Sequence, residues 1–513
     1  MRRGVEWRWV SLVSLGIVLL ASIPYLFGYA IAPTEHEFIG LTRNVDDALV
    51  YLSWMRQAAD GHFFTRNLFT SEPQVGHGVN LLFYGLGRFA GTTHLPLIVV
   101  FHAARLIFGA GLLMLVYAFS RLWIADIRGR RLVLLVTGFS AGLGWLIPVG
   151  EGFDRSVDLW QPEAITFLSI YLSPLFSFSL ILMLGSLYLL QVHGATGRTR
   201  YAVCAGLLLL ILGNVHSYDV IPIGMTWALC ALASLLRRPR NARPLVGGLI
   251  AAVIGMPSAA YQAYIYLHEP VFRLRADVPT LSPSIVFYLL GFGLLIPLAA
   301  LGVRRLMSNR ADYGLLACWV IMAVAAAYLP ISFQRKLVMG AHIPLSILAG
   351  MGLAAVTEGL RGRAAVTAAA LVILVPSNVV FLAQDMARVI ANEPHTTAHA
   401  PFVSKDELAA LDYLRRHSRP GDIVLAQPPF ASLVPAFTGR TVYCGHWGET
   451  ARFEEKLRQV LTFFAEPDEV EHHMDFVRRH GIVYVADYHQ LPRDHPAMAR
   501  VVETGDIAIF QVR

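Results

Sequence analysis

Two adjacent carboxylates, Asp46 and Asp47, head the stretch Asp47-Ala-Leu-Val-Tyr-Leu-Ser-Trp-Met-Arg-Gln-Ala-Ala-Asp60. Its pattern is that of an amphipathic helix: Ala48, Leu49, Leu52, Met55 and Ala59 fall on one flank, and Asp46, Ser53, Gln57 and Asp60 on another. Asp47, Tyr51, Trp54 and Ala58 form a third stripe, so one carboxylate lies beside two aromatic rings, an arrangement suited to gripping a sugar. A carboxylate in that position can take a proton from an acceptor hydroxyl. The plain alternative is that Asp46 caps the helix and Asp47 complements its dipole. Asp47 shares the aromatic stripe and Asp46 is the better placed to cap, which favours Asp47 as the base.

Further chemistry-bearing residues occur in short segments. In Gly213-Asn-Val-His-Ser-Tyr-Asp219, His216 and Asp219 are spaced to share a face and to hydrogen-bond, fixing the imidazole. Two residues do not make a metal site; Asp46 or Asp47 could add a ligand, and a divalent metal stays open as a cofactor. The segment Ser332-Phe-Gln-Arg-Lys-Leu-Val-Met-Gly-Ala-His342 brings Arg335 and Lys336 next to the membrane, where a planar fork and a point charge suit a phosphate; ordinary anionic lipid would also attract them. His342 closes this segment as a further substrate-binding candidate. Glu72 and His77 share a loop with the acid pair and could line its cavity; Arg273 and Arg275 are weaker phosphate candidates. His102 and Arg105 fall inside an apolar run, where ionisable groups face a bundle interior. Gly445-His-Trp-Gly-Glu-Thr450 is rich in hydrogen-bonding groups, though a helix cap explains it equally well.

The elements that must position these residues are membrane helices. The chain of 513 residues is 55% apolar and 15% charged, with mean hydropathy +0.53, too oily for a soluble protein of that size. Apolar runs long enough to cross a hydrocarbon core occur at 9–31, 95–118, 131–149, 164–191, 200–214, 218–236, 243–266, 283–303, 311–330, 342–357 and 364–383. These predict a polytopic α-helical membrane protein of about eleven transmembrane helices. Arg2, Arg3 and Arg8 precede the first run, and basic residues then follow every second run: Arg121, Arg128, Arg130 and Arg131, Arg198 and Arg200, Arg237, Arg238, Arg240 and Arg243, Arg304, Arg305 and Arg310, and Arg361 and Arg363. Opposite loops are acidic or mixed, as in Glu151, Asp154, Asp158 and Glu163. By the positive-inside rule the N-terminus is cytoplasmic, the acid pair is outside, and the chain is a multi-pass protein of the plasma (inner) membrane. The pI near 9.3 is then a topology signal, which argues against nucleic acid as a partner. The first run is longer than a signal-peptide core and reads as an uncleaved span.

Three regions follow: a transmembrane domain over 1–383, a first outer loop with interfacial helices over 32–94, and a small soluble α/β extracytoplasmic domain over 384–513. In the last, Ser404 and Glu407 form a capping-box pattern before a helix to His417. Strands are predicted at 422–426, 482–486 and 507–512, and helices at 449–464 and 469–480, with no glycine-rich phosphate loop. Gly138-Phe-Ser-Ala-Gly142 has the spacing of close helix packing. Three of the four cysteines lie in predicted spans and Cys444 stands alone outside, leaving no disulfide framework.

An acidic pair opening a long first outer loop, an interfacial helix after it, many spans and an outer C-terminal domain together resemble the GT-C superfamily of polytopic glycosyltransferases. That superfamily includes protein O-mannosyltransferases, lipid A aminoarabinose transferases and oligosaccharyltransferases. Val45-Asp-Asp-Ala-Leu-Val-Tyr51 looks like its acidic motif, where Asp-Glu variants are more common. The resemblance implies transfer of a sugar from a polyprenyl-phosphate-type carrier, with inversion, to a lipid, glycan or protein acceptor of the cell envelope. It implies that Asp46 or Asp47 deprotonates the acceptor and that Arg335 and Lys336 neutralise the departing phosphate; Tyr51, Trp54, Glu72, His216, Asp219 and His342 stand beside these as substrate-binding candidates from the residues themselves. No second aspartate motif like the metal-binding set of the oligosaccharyltransferases is present. The competing class is a membrane transporter or a lipid or glycolipid flippase, which would show related halves or broken helices at the midplane.

Overall fold

The computed structural model describes residues 2–147, 152–237, 240–271, 273, 279–308, 314–394 and 397–513, with residues 2–5 described by backbone only. Glu151, Arg238, Arg275 and Arg310 lie outside the described residues, as do the side chains of Arg2 and Arg3. The chain divides into two compact units. The first comprises Met1–Ile23, His102–Ala263 and Pro279–Gln384, and the second comprises Pro24–Phe101, Tyr264–Val278 and Asp385–Arg513.

Among the described residues, six helices are long and apolar enough to span a bilayer: Leu97–Ser120, Pro174–Thr196, Ser217–Leu236, Arg243–His268, Gln334–Val356 and Arg363–Ala391. Two bent pairs, Glu6–Leu20 with Ile23–Ile31 and Ile285–Phe292 with Leu295–Ser308, raise the number to eight. The protein is an integral membrane protein, but about eleven full spans are not what the described residues form. The reasons are local. The run at 283–303 bends by 72° where Gly293 takes φ 45°, a conformation that L side chains resist. The run at 131–149 yields only the 13-residue helix Ile127–Phe139. The chain then turns at Ser140 because the Asp158 carboxylate accepts from the Gly142 and Gly144 backbone N–H groups at 2.9 and 3.1 Å. At 164–191 a helix break falls at Ser173, whose hydroxyl caps the helix Pro174–Thr196 with proline at its first position. The runs at 200–214 and 311–330 become Thr199–Val215 and Gly314–Ala326, shorter apolar helices.

Close backbone approach organises the first unit. A Cβ on Gly352 would collide with the Leu298 carbonyl oxygen, so the helices Leu295–Ser308 and His342–Val356 touch through backbone. Gly142, from the sequence Gly138-Phe-Ser-Ala-Gly142, similarly lies against the Leu290 carbonyl oxygen. Arg105, buried within Leu97–Ser120, gives its guanidinium to the Ile170 and Tyr171 carbonyls, to Ser22 Oγ at 2.8 Å and to His102 Nδ1 at 3.2 Å.

The second unit contains two sheets. Strands β1 (His36–Phe38) and β2 (Phe402–Ser404) pair antiparallel, with His36 opposite Ser404. The larger sheet has the order β4-β3-β5-β7-β6, formed by β3 (Ile423–Ala426), β4 (Thr441–Val442), β5 (Ile482–Asp487), β6 (Met498–Glu503) and β7 (Ala508–Val512). The pairs β3–β4 and β3–β5 are parallel, whereas β5–β7 and β6–β7 are antiparallel. Leu425, Val485 and Phe510 from the sheet bury against Val460, Phe463 and Val477 from the helices Phe453–Ala465 and Val470–Arg479. The helix Lys405–His417 starts in a capping box of Ser404 and Glu407. That pairing satisfies two amide donors at once. The strand β6 and the helix Phe430–Thr438 arise where the sequence pattern foretold neither.

Candidate functional site

The acid pair lies in the first turn of the helix Val45–Ala59. Asn44 sets the start with a left-handed φ of 52° and makes no side-chain cap, a conformation Asn tolerates better than most residues. Asp46 therefore does not cap. Its side chain is 3% exposed, and Oδ2 accepts from Trp447 Nε1 at 2.6 Å. Asp47 is half-buried, and its Oδ2 accepts from the Asn44 amide at 2.7 Å. The two adjacent carboxylates thus sit in different environments. Burial raises the Asp46 pKa, and the neighbouring Asp47 charge adds to this. His446 and the Trp447 hydrogen bond oppose the rise without overcoming it. A carboxyl raised toward neutrality is a better proton acceptor when it ionises.

Trp447 reaches Asp46 because the turn between β4 and the helix Phe453–Ala465 is tightly organised. His446 Nδ1 accepts from the backbone N–H groups of Gly448 and Glu449 at 2.9 and 3.0 Å, which leaves the proton of a neutral ring on Nε2. Its ring stacks on Trp447 and meets the edge of Phe69. Thr450 Oγ1 accepts from Gly445 and His446 and donates to the Phe69 carbonyl. Asn67 donates to the Glu449 carbonyl at 2.8 Å.

Glu72 belongs to the same seam. Its carboxylate meets the ammonium of Lys456 at 2.8 Å and the guanidinium of Arg452 at 3.4 Å, and it accepts from the Thr70 hydroxyl. Burial pushes Glu72 up, but the hydrogen bonds from Lys456 and Thr70 outweigh it, and the carboxyl lies below the usual range. Tyr51 and Trp54 place their rings against Phe83 of the helix Leu81–Thr93, with Tyr51 stacked at 4.7 Å. Each is left half-buried. His77 packs edge-on against Phe64.

A separate cluster occupies the first unit. His216 Nδ1 meets Asp219 Oδ2 at 2.6 Å, and Tyr218 Oη meets His216 Nε2 at 2.7 Å. The Lys336 ammonium stands 5.1 Å from the Tyr218 ring centroid. Arg335, its neighbour on the short helix Gln334–Val338, lies over both Phe153 and Trp160, at 4.9 and 5.1 Å. Aromatic faces hold a guanidinium without neutralising it. Gln161 Nε2 fixes the local backbone by donating to the Arg335 carbonyl at 3.1 Å. Thus His216, Asp219 and Lys336 are brought together, with Arg335 adjoining.

His342 is placed differently. It is 1% exposed, with Ser140 Oγ at 3.2 Å from one ring nitrogen and Thr166 Oγ1 at 2.9 Å from the other. Glu163 is nearly buried and Asp158 fully so; for Asp158 burial raises the carboxyl pKa against its hydrogen bonds from Ser156, Ser377, Gly144 and Gly142. Among the described residues no group of three or more His, Cys, Asp or Glu side chains is arranged to hold a metal ion. Sequence reasoning singled out the 445–450 segment but did not connect it to Asp46, and it passed over Phe153, Trp160 and Lys456. The tryptophan within Gly445-His-Trp-Gly448 was the available signal for Trp447.

A family of unknown function (DUF6541) matches residues 290–504. No curated protein matches the chain. Among solved structures, the oligosaccharyltransferase of Archaeoglobus fulgidus in its apo form has a TM-score of 0.53 and 13% identity, over 92% of this chain and 69% of that one. The same protein tethered to an acceptor peptide containing the NVT sequon gives 0.53 and 14%, again over 92% and 69%. The mycobacterial arabinofuranosyltransferase AftD gives 0.54 and 13% over 98% of this chain, which spans 40% of that protein's length. These neighbours are an oligosaccharyltransferase and an arabinofuranosyltransferase, and the chain shares their fold.

Proposed function

We propose that this protein is a glycosyltransferase that moves a sugar from a polyprenyl-phosphate-type carrier to an acceptor on the outer face of the membrane. The observation that carries the reading is the acid pair at the start of Val45–Ala59, one carboxylate buried on Trp447 and the other left half-exposed, in a chain with the fold of glycosyltransferases. Asp47, the more accessible, takes the acceptor proton. The acceptor oxygen bonds to the anomeric carbon from the face opposite the leaving group, the carbon–oxygen bond to phosphate breaks with its electron pair going to the phosphate, and configuration inverts. Asp46, buried on Trp447, sets the local charge. Tyr51 and Trp54 offer their remaining faces to the sugar, while Glu72 acts through the segment that carries Trp447.

Arg335 and Lys336 meet the carrier's phosphate, since preorganised positive charge is most useful where negative charge develops. Stacking of Arg335 on Phe153 and Trp160 supports this role, because it orders the guanidinium while leaving its charge intact. His216 and Asp219 orient Tyr218 beside Lys336, and His342 contributes indirectly through helix packing. The positive-inside pattern supports an N-terminus in the cytoplasm and an extracytoplasmic C-terminal region.

The test is reconstitution of the full chain in proteoliposomes with a panel of radiolabelled polyprenyl-phosphate monosaccharides and envelope acceptors. Asp47→Asn should lower transfer by roughly 10²–10⁴-fold, the usual worth of a general base. Full transfer by Asp47→Asn would overturn the assignment. Movement of intact donor across the bilayer without cleavage would point to a transporter instead.

A further inference from the structure

A second charged feature lies at the other end of the acid-bearing helix. Past Ala59 the chain enters a cleft of about 460 Å³ lined by Asp60, His62 and Arg66 from the first outer loop and by Arg415, Gly439 and Arg440 from the C-terminal segment. Fourteen residues of helix separate Asp60 from Asp46, roughly 21 Å at 1.5 Å per residue, so this cleft is distinct from the acid pair.

Its charge is not balanced. Arg440 is anchored by neutral acceptors: Ser418 Oγ and the Ser418 carbonyl at 2.8 Å, and the Thr438 and Arg415 carbonyls at 3.1 Å. Carbonyl and hydroxyl oxygens satisfy its donors, and the Asp60 and Asp422 carboxylates act on its charge without an ion-pair contact. Arg66 and Arg415 form no ion pair among the described residues. The contrast with the next residue is direct: Arg416 pairs with Asp412 at 2.9 Å. The acid of the cleft, Asp60, stands 3.8 Å from Arg56 behind it, and the buried Nε of Arg56 has no hydrogen-bond partner. Arg415 repels both Arg56 and Arg440 electrostatically. Three guanidinium groups and an imidazole held around one space, with one carboxylate among them, favour an anion between them. Guanidinium forks match phosphate oxygens bidentately, and the volume, in the ordinary range for small-molecule sites, exceeds that of a bare oxyanion.

We propose that this cleft binds an organic phosphate ester, with Arg66, Arg415 and Arg440 gripping the phosphate and His62 at its rim. The phosphate can belong to a lipid headgroup or to a free sugar or polyol phosphate.

The experiment is calorimetric titration of the full-length protein in neutral detergent with glycerol phosphate, against sodium chloride at matched ionic strength. Saturable binding is expected. The double variant Arg66→Ala/Arg415→Ala, which alters two exposed side chains, should weaken it about tenfold or more, the scale of losing one charge-assisted contact. Arg416→Ala should bind as the parent does. Repeating the titration in nanodiscs identifies the source: a raised apparent Kd in phosphatidylglycerol discs relative to phosphatidylcholine discs brought to the same negative charge with oleate assigns the site to a headgroup, and an equal Kd assigns it to a free phosphate. Absence of saturable binding beyond the chloride control, or an equal loss in Arg416→Ala, overturns the proposal. Neither result depends on sugar transfer.

Discussion

Removing one side of the Glu72–Lys456 pair should cost more than removing both, and the structure says which side matters more. Lys456 is 4% exposed and Glu72 20%. Besides the carboxylate, the ammonium has Ser71 Oγ at 3.0 Å, the Tyr443 carbonyl at 3.2 Å and the face of Tyr443. Glu72→Gln therefore strands a buried cation among neutral partners, at about 4 kcal/mol within the 3–5 kcal/mol typical of such changes. Lys456→Met leaves a carboxylate that keeps Arg452, Thr70 and some water, so its cost falls near the low end, about 3 kcal/mol. The double variant replaces the pair with a neutral amide and a thioether of similar length and should cost about 2 kcal/mol or less. The coupling is then about 5 kcal/mol, far beyond the 0.3–0.5 kcal/mol error of additivity. Thermal unfolding of the four proteins in one detergent reads this directly. The pH dependence has a definite sign: the Glu72 carboxyl is depressed in the fold, so its contribution is present above the ordinary carboxylate pKa and is lost as pH falls through the folded value. Additive single effects, or Lys456→Met costing more than Glu72→Gln, would refute the reasoning.

Trp447→Phe removes the hydrogen bond that lowers the Asp46 pKa, so Asp46 should stay protonated to higher pH, and the pH dependence of the melting-temperature gap between Asp46→Asn and its parent should steepen in the Trp447→Phe background; an unchanged gap would refute the coupling. Asp46→Asn tests the raised carboxyl itself. A raised folded pKa gives stability that is complete below the ordinary carboxylate value and lost as pH rises through the folded one, so the melting temperature of Asp46→Asn should gain on the parent between pH 4 and pH 8. A constant difference would show that Asp46 is not perturbed. Arg335→Lys keeps the charge but loses the planar stacking on Phe153 and Trp160; donor KM should rise about tenfold, on the order of a partly desolvated cation–π contact, with kcat reduced less.

What could be read from the sequence depended on how local the cause was. The His216–Asp219 hydrogen bond spans three residues and follows from spacing. So does the capping box at Ser404 and Glu407. The acid-bearing helix was legible because Val45–Ala59 runs without glycine or proline, although the flank read as polar is buried at Asp46, Ser53 and Gln57, and its true cap, a left-handed Asn44, leaves no pattern beyond the Asn itself. The helix breaks were not legible: a hydropathy window averages over Gly293 and cannot sense that Asp158 will draw the Gly142 and Gly144 amides out of a helix. β6 escaped because its pairing with β7, rather than its own alternation, makes it a strand.

The least legible feature bears most on chemistry. Asp46 and Asp47 are the same residue type one position apart, and a helical wheel can rank them only by neighbours on their own helix. Their difference comes from a tryptophan 401 residues away, held by a histidine whose Nδ1 is spent on two backbone amides. Burial on Trp447 makes Asp46 costly to ionise and closed to a bulky acceptor, whereas Asp47 keeps solvent access and an amide partner. A base must reach its proton before its pKa matters. On the proposed function, the accessibility difference therefore favours Asp47 for proton transfer and leaves Asp46 to set the field in which Asp47 works.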